Sequence, residues 1–176
     1  MTGDVSVIRR RPPAPPVYLL DVEVAKGDRT RVSGALWDGV LNASPEDTTD
    51  GPSPVEALLG GVAACFVRNL RWVADGAHVD FERIGLHLAA ERDDDPAAIS
   101  QVHVDVDLET SAEPARVAGI VKRALRTGTI TRTVARAADF SMTLRINGAA
   151  WPIDLAAVGL ARTAPSSFSS GTPAPP

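Results

Sequence analysis

Asp50 to Phe66 read DGPSPVEALLGGVAACF. Ser53 is a helix-capping residue, and Pro54 suits the first helical position, where its missing N–H is no loss. Glu56 stands three residues after the cap, the spacing of a capping box. From Pro54 to about Asp75 the apolar residues Val55, Leu58, Leu59, Val62, Phe66, Leu70 and Val73 recur at steps of three and four. That period is a helix with one buried face. Its middle is nearly bare of side chains: Gly60, Gly61, Ala63 and Ala64. A glycine inside a helix costs roughly 1 kcal/mol relative to alanine, so the pair asks for compensation. Close approach of another helix or backbone is the simplest source.

Strands flank this helix. Val17–Ala25 and Thr30–Trp37 read as two strands joined through KGDR, a hairpin. SPEDTTDGPSP, leading into the helix, is a loop. After the helix, Phe81–Glu91 carries Ile84, Leu86 and Leu88 in alternation. Ile99–Leu108 alternates Val102, Val104, Val106 and Leu108 against His103, Asp105 and Asp107, with RDDDPA as the turn between. Glu113–Arg126 predicts a second helix, with Val117, Ile120, Val121, Ala124 and Leu125 inward. Thr129–Ala137 is a short helical candidate, Phe140–Ile146 a last strand, and AAWPIDLAAVGLA an apolar coda suited to docking. The order is ββ–α–ββ–α–β, an α+β fold with mainly antiparallel pairing.

The ends differ in composition. Residues 1–16, with RRPPAPP, and 161–176, with TAPSSFSSGTPAPP beginning at Thr163, are rich in Pro, Ser and Gly. They hold too little apolar surface to offset the entropy of ordering, so both read as disordered tails around one domain at 17–160. The chain has 176 residues, a formal net charge of −4, 44% hydrophobic and 23% charged residues, ordinary for one globular domain. The 18 Lys and Arg are scattered along the sequence, which argues against nucleic acid as a partner. A single cysteine forbids an internal disulfide, so no oxidising compartment is implied. No stretch approaches the roughly 18 apolar residues of a membrane span, and cytoplasm is the expected compartment.

In Pro54, Glu56, Ala63, Ala64 and Cys65 the central stretch resembles the OsmC/Ohr family of thiol-dependent peroxidases. The likeness extends more loosely over Val17–Ile146. It implies an intertwined homodimer: antiparallel sheets wrap around paired central helices, whose small residues let the backbones approach, and each active site lies at the subunit interface. In two-cysteine members the helix cysteine attacks the peroxide and becomes a sulfenic acid. A second cysteine, in a Cys-Pro-aliphatic-Ser segment, condenses with it. Here TGTITRTV aligns there, and Gly128 stands at the second cysteine's place, followed by Thr129, Ile130 and Thr131. The family also sets an arginine in the loop before the helix, yet residues 39–53 hold no Arg or Lys. The scaffold motifs are kept, and two parts of the chemistry are not.

Each candidate residue has two readings. Cys65 is either a nucleophile activated by a nearby cation or a small buried residue on an Ala-rich helix. Glu56 is a site carboxylate or the capping partner of Ser53. Nine residues separate it from Cys65, about 14 Å along a helix, too far to touch its own chain's thiol. Arg68, one turn after Cys65, either stabilises the thiolate in place of the missing loop arginine or is a surface or interface residue. Phe66 and Asn69 are the expected substrate neighbours. His78, His87 and His103 lie on separate elements and make no metal set, although His87 and His103 can face each other across the hairpin. RDDDP reads as a solvated turn. No cofactor is implied.

Two functions follow. One is a peroxidase that reduces organic hydroperoxides through Cys65, with an external thiol as the resolving partner. The other is a non-catalytic dimer that holds an apolar small molecule between subunits.

Overall fold

The computed structural model describes residues 21–24, 29–34, 37–42 and 51–160, with side chains from residue 51 onward. The chain divides into two compact units, Met1–Pro54 and Val55–Pro176.

In the first unit β1 (Asp21–Val24), β2 (Arg29–Gly34) and β3 (Trp37–Asn42) form an antiparallel sheet in that order. Val22 pairs with Val32, and Val32 with Gly39. The expected hairpin is present, but its second strand ends at Gly34 instead of Trp37. Trp37 opens a third strand, not anticipated from sequence, and pairs back onto Gly34. Residues 17–20 and 25–28, the loop at 43–50 and the tails at 1–16 and 161–176 lie outside the described residues.

All of α1 (Pro54–Gly76) but its first residue belongs to the second unit, and the helix starts where Ser53 and Pro54 predict. Then come β4 (Arg83–Asp94), β5 (Ala97–Glu109), α2 (Pro114–Thr127), α3 (Thr129–Ala137), β6 (Asp139–Ile146) and β7 (Ala149–Trp151). The hairpin strands run longer than expected, so the turn shrinks to Asp95 and Pro96. The four strands order as β4-β5-β6-β7. β5 and β6 are parallel, which requires a crossover, and α2 with α3 supplies it. Glu113 caps α2, its carboxylate accepting from the backbone N–H of Ala115 and of Arg116 at 2.9 Å each. A tight turn at Asn147 (φ 50°) and Gly148 (φ 78°) folds β7 back onto β6, the left-handed geometry that Asn-Gly hairpins favour. Asn147 also fixes the neighbouring loop, exchanging hydrogen bonds with the Thr110 backbone at 3.0 and 2.9 Å.

Alternation along the strands separates two faces. Val102, Val104, Val106 and Leu108 of β5 and Leu144 and Ile146 of β6 are buried. Against them pack Val62, Phe66, Leu70 and Val73 of α1, and Val117, Val121, Ala124 and Leu125 of α2. Full burial of one such side chain is worth about 1.5–3 kcal/mol. The coda docks as expected, through Val158 and Leu160. On the opposite face His87 pairs with Asp105 and His103 with Ala89, so the two histidines sit diagonally and do not oppose each other. His103 instead lies 2.7 Å from the Ser141 hydroxyl and 3.3 Å from that of Thr143.

One expectation from sequence is corrected. Over an 18-residue window α1 reaches a mean hydropathy of 1.2, long and apolar enough to cross a bilayer by length and composition, with 28% of that window buried in the structure. The apolar count was diluted in sequence by Gly60, Gly61, Arg68 and Arg71. The stripe from Val62 to Val73 packs in the core, as a globular protein's central helix does.

Candidate functional site

Three turns into α1, Cys65 is half-buried. Val62 and Phe66 point into the core, and the helical period rotates Cys65 out of it. Asn69, four residues later, lies directly over it. Its side-chain N–H groups donate to the Cys65 carbonyl at 2.7 Å and to the Cys65 sulfur at 3.6 Å. The residue is therefore partly exposed, and its sulfur faces a polar donor.

The other expected site residues are dispersed. Arg68 shares the exposed side of α1 with Cys65, but its guanidinium makes no hydrogen bond or ion pair with a described residue. Glu56 is exposed in the first turn of α1, at the far end of the run from Cys65. Phe66, expected beside a substrate, is a core residue at 2% exposure, because its position on the helix coincides with the buried stripe. Among the described residues no group of three or more His, Cys, Asp or Glu side chains converges as metal ligands would.

Gly128 is buried at the junction of two helices, closing α2 and opening α3. Its backbone, φ −73° and ψ 103°, is one that any L-residue adopts. A Cβ built on it would lie 3.2 Å from the Thr131 hydroxyl oxygen and 3.3 Å from the Thr131 Cβ. The left-handed conformation that would have demanded glycine is absent, and the space is tight without being closed.

Trp72 was missed from the sequence. Seven residues after Cys65 on α1, it is 62% exposed, the most exposed large apolar side chain among the described residues. The signal was its place off the core period, between Leu70 and Val73. Gly60 and Gly61, for their part, meet nothing within 4 Å where a Cβ would stand. Among the described residues, nothing makes the contact that the small residues call for.

A family model described as OsmC-like protein matches residues 46–143, over half the chain. No curated protein sequence matches. Among solved structures, an OsmC-like protein from Mycoplasma pneumoniae superposes with a TM-score of 0.69 at 13% identity, over 76% of this chain and 99% of its own. The organic hydroperoxide resistance protein OhrB of Bacillus subtilis gives 0.52 at 18% identity, over 72% and 98%. An organic hydroperoxide resistance protein from Elizabethkingia anophelis gives 0.57 at 12% identity, over 76% and 100%. With the cysteine-bearing helix, the α+β order and the family match in agreement, this chain belongs to the OsmC-like family.

Proposed function

We propose that this protein is a one-cysteine thiol peroxidase that acts on organic hydroperoxides as a homodimer. The half-buried Cys65, its sulfur beneath the Asn69 amide, carries the reading. The Cys65 thiolate attacks the terminal peroxide oxygen, the O–O bond breaks, and an alcohol leaves after protonation. The cysteine is left as a sulfenic acid. With Gly128 at the second cysteine's place, an external thiol condenses with the sulfenic acid, releasing water and forming a mixed disulfide. A second thiol then releases Cys65 and departs as the oxidised disulfide. Arg68 is the proposed cation for the thiolate, and Glu56 acts at the site only if a second subunit brings it there. The hydroperoxide resistance proteins that share the fold support the substrate class.

The test is turnover of an alkyl hydroperoxide by purified protein with small monothiols and dithiols. Activity that Cys65→Ser abolishes supports the reading, and no turnover with any reductant sinks it.

A second reading keeps the dimer and drops the chemistry: the protein binds an apolar molecule between subunits. It is favoured by the unengaged Arg68 and the cation-free segment 39–53. Stoichiometric hydroperoxide separates the two. Sulfenic acid trapped on Cys65 within seconds supports catalysis, whereas an inert thiol supports binding.

A further inference from the structure

α1 and α2 pack against one face of the four-stranded sheet, and alternation along β5 and β6 sends a second set of side chains to the opposite face. The register there sets His103 beside Ser141, Asp105 beside Thr143 and Asp107 beside Arg145. Ser141 is exposed, and the other five are partly so. The close contact expected between copies runs through α1, on the other side of the sheet, so pairing of the central helices does not cover this face.

His103 Nδ1 lies 2.7 Å from the Ser141 hydroxyl oxygen, a short hydrogen bond. Its Nε2 lies 3.3 Å from the Thr143 hydroxyl oxygen and 3.6 Å from the Asp105 carboxylate, an ion-pair distance. The carboxylate decides which nitrogen carries the proton. With the proton on Nε2, the N–H points at two oxygens. With it on Nδ1, a bare lone pair would face the Asp105 charge. The first tautomer leaves Nδ1 to accept from the Ser141 O–H. The Arg145 guanidinium lies 3.5 Å from Asp105 and 3.6 Å from Asp107, one cation shared by two carboxylates. The negative charge left over favours an imidazolium on His103. Hydroxyl, imidazole and carboxylate thus stand as an activated serine requires: the nucleophile touches its base, and a third group orients the base.

We propose that Ser141 is an acyl-accepting nucleophile, with His103 as its general base and Asp105 as the positioning residue, and that its substrates are activated esters. The Ser141 oxygen attacks the ester carbonyl carbon while its proton passes to His103 Nδ1. The tetrahedral adduct collapses, the bond to the leaving oxygen breaks, and the leaving group departs with that proton or as the anion. Ser141 is left as an ester. Water, deprotonated by the same Nδ1, then attacks the acyl carbon, releasing the carboxylic acid and restoring the serine. No electrons are transferred. The face is open to water, where a developing oxyanion gains less than in a closed site, so the substrates are those with good leaving groups, such as aryl esters. None of these residues belongs to the Cys65 site, and the inference does not depend on the peroxidase reading.

The experiment uses the full chain carrying Cys65→Ala, so that no thiol takes the acyl group. The protein is exposed to p-nitrophenyl acetate, quenched in acid at timed intervals and mapped by mass spectrometry while nitrophenolate release is recorded. The expected label is one acetyl group on Ser141, placed there about tenfold faster than on Ser111, which is also exposed. Ser141→Ala abolishes the label and the matching nitrophenolate. Steady nitrophenolate release with little label, abolished by Ser141→Ala, supports the same serine with rapid return of the acyl group to water. His103→Gln slows acylation about tenfold and Asp105→Asn about threefold, with melting temperatures held within about two degrees. Equal labelling of Ser141 and Ser111 overturns the proposal, as does acetyl confined to lysines or histidines. A rate that His103→Gln leaves unchanged also overturns it, and a lower melting temperature in that variant would then assign the Ser141–His103 contact to strand pairing alone.

Discussion

The Asn69 amide reaches back one turn of α1 and donates to Cys65 twice, to the carbonyl at 2.7 Å and to the sulfur at 3.6 Å. A donor aimed at sulfur stabilises the thiolate and the oxygen-bearing products of its oxidation more than the neutral thiol. The carbonyl bond holds the amide in place for that purpose. Asn69→Leu removes both bonds while keeping the number and branching of the side-chain heavy atoms. It should slow iodoacetamide alkylation of Cys65 by about fivefold, the equivalent of about 1 kcal/mol. Timed alkylation followed by mass spectrometry reads this directly, and an unchanged rate would show that the amide has no part in thiol reactivity.

Gly61 gives opposite signs for a lone chain and for a close pair. Among the described residues a Cβ there meets nothing within 4 Å, so Gly61→Ala should gain up to about 1 kcal/mol from helix propensity alone. Against a second copy of α1 the added atoms intrude, and Gly61→Leu should lose about 1–3 kcal/mol. We expect the loss, together with weaker association by light scattering and a melting temperature that depends on concentration. A Leu variant that stays dimeric and equally stable would place the close contact elsewhere.

Thr131 is 1% exposed, and its hydroxyl has no hydrogen-bond partner among the described residues. A buried hydroxyl without a partner carries its desolvation cost uncompensated. Thr131→Val keeps the shape and removes the hydroxyl. It should raise stability by about 1 kcal/mol, about 2–4 °C in melting temperature for a chain of this size. A loss would mean that the hydroxyl is satisfied in solution.

What the sequence made legible follows from where local rules and burial agree. α1 was readable because its cap, its proline and its apolar stripe coincide, and α2 because Glu113 and the run Val117–Leu125 do. β3 was missed because WDGVLN lacks clean alternation and carries a mid-strand glycine. β7 could have been found: Asn147-Gly148 is a hairpin signal, and the short AAW that follows hid it. The parallel pairing of β5 with β6 depends on how α2 and α3 cross the sheet, a nonlocal fact that no window of residues contains. The site divides in the same way. Asn69 lies over Cys65 because a four-residue helical spacing is local, whereas Phe66 turns into the core because adjacency to Cys65 in sequence is a rotation of about 100° on the helix. Trp72 belongs to a cleft made by two helices, which only the packing reveals.

Gly128 allows the alignment with the two-cysteine peroxidases to be tested by restoring the thiol. With φ −73° and ψ 103° the backbone accepts cysteine without strain. The obstacle is Thr131, whose hydroxyl oxygen would lie 3.2 Å and Cβ 3.3 Å from the new Cβ. Gly128→Cys alone should therefore lose about 1 kcal/mol, and part of that should return with Thr131→Ala, which removes the nearer atom. If the two positions meet as the resemblance implies, one equivalent of hydroperoxide should consume both thiols of the double variant without cross-linking chains. That outcome requires Cα atoms about 4.4–6.8 Å apart, or able to relax into that range. A dithiol should restore both, and peroxidase turnover should rise if resolution was limiting. The parent protein, treated identically, should instead stop at the sulfenic acid until a thiol is added. A folded double variant in which Cys65 oxidises and the new thiol stays free would show that α3 does not carry the resolving position. Resolution by an external thiol would then rest on chemistry alone, with no support from the alignment at Gly128.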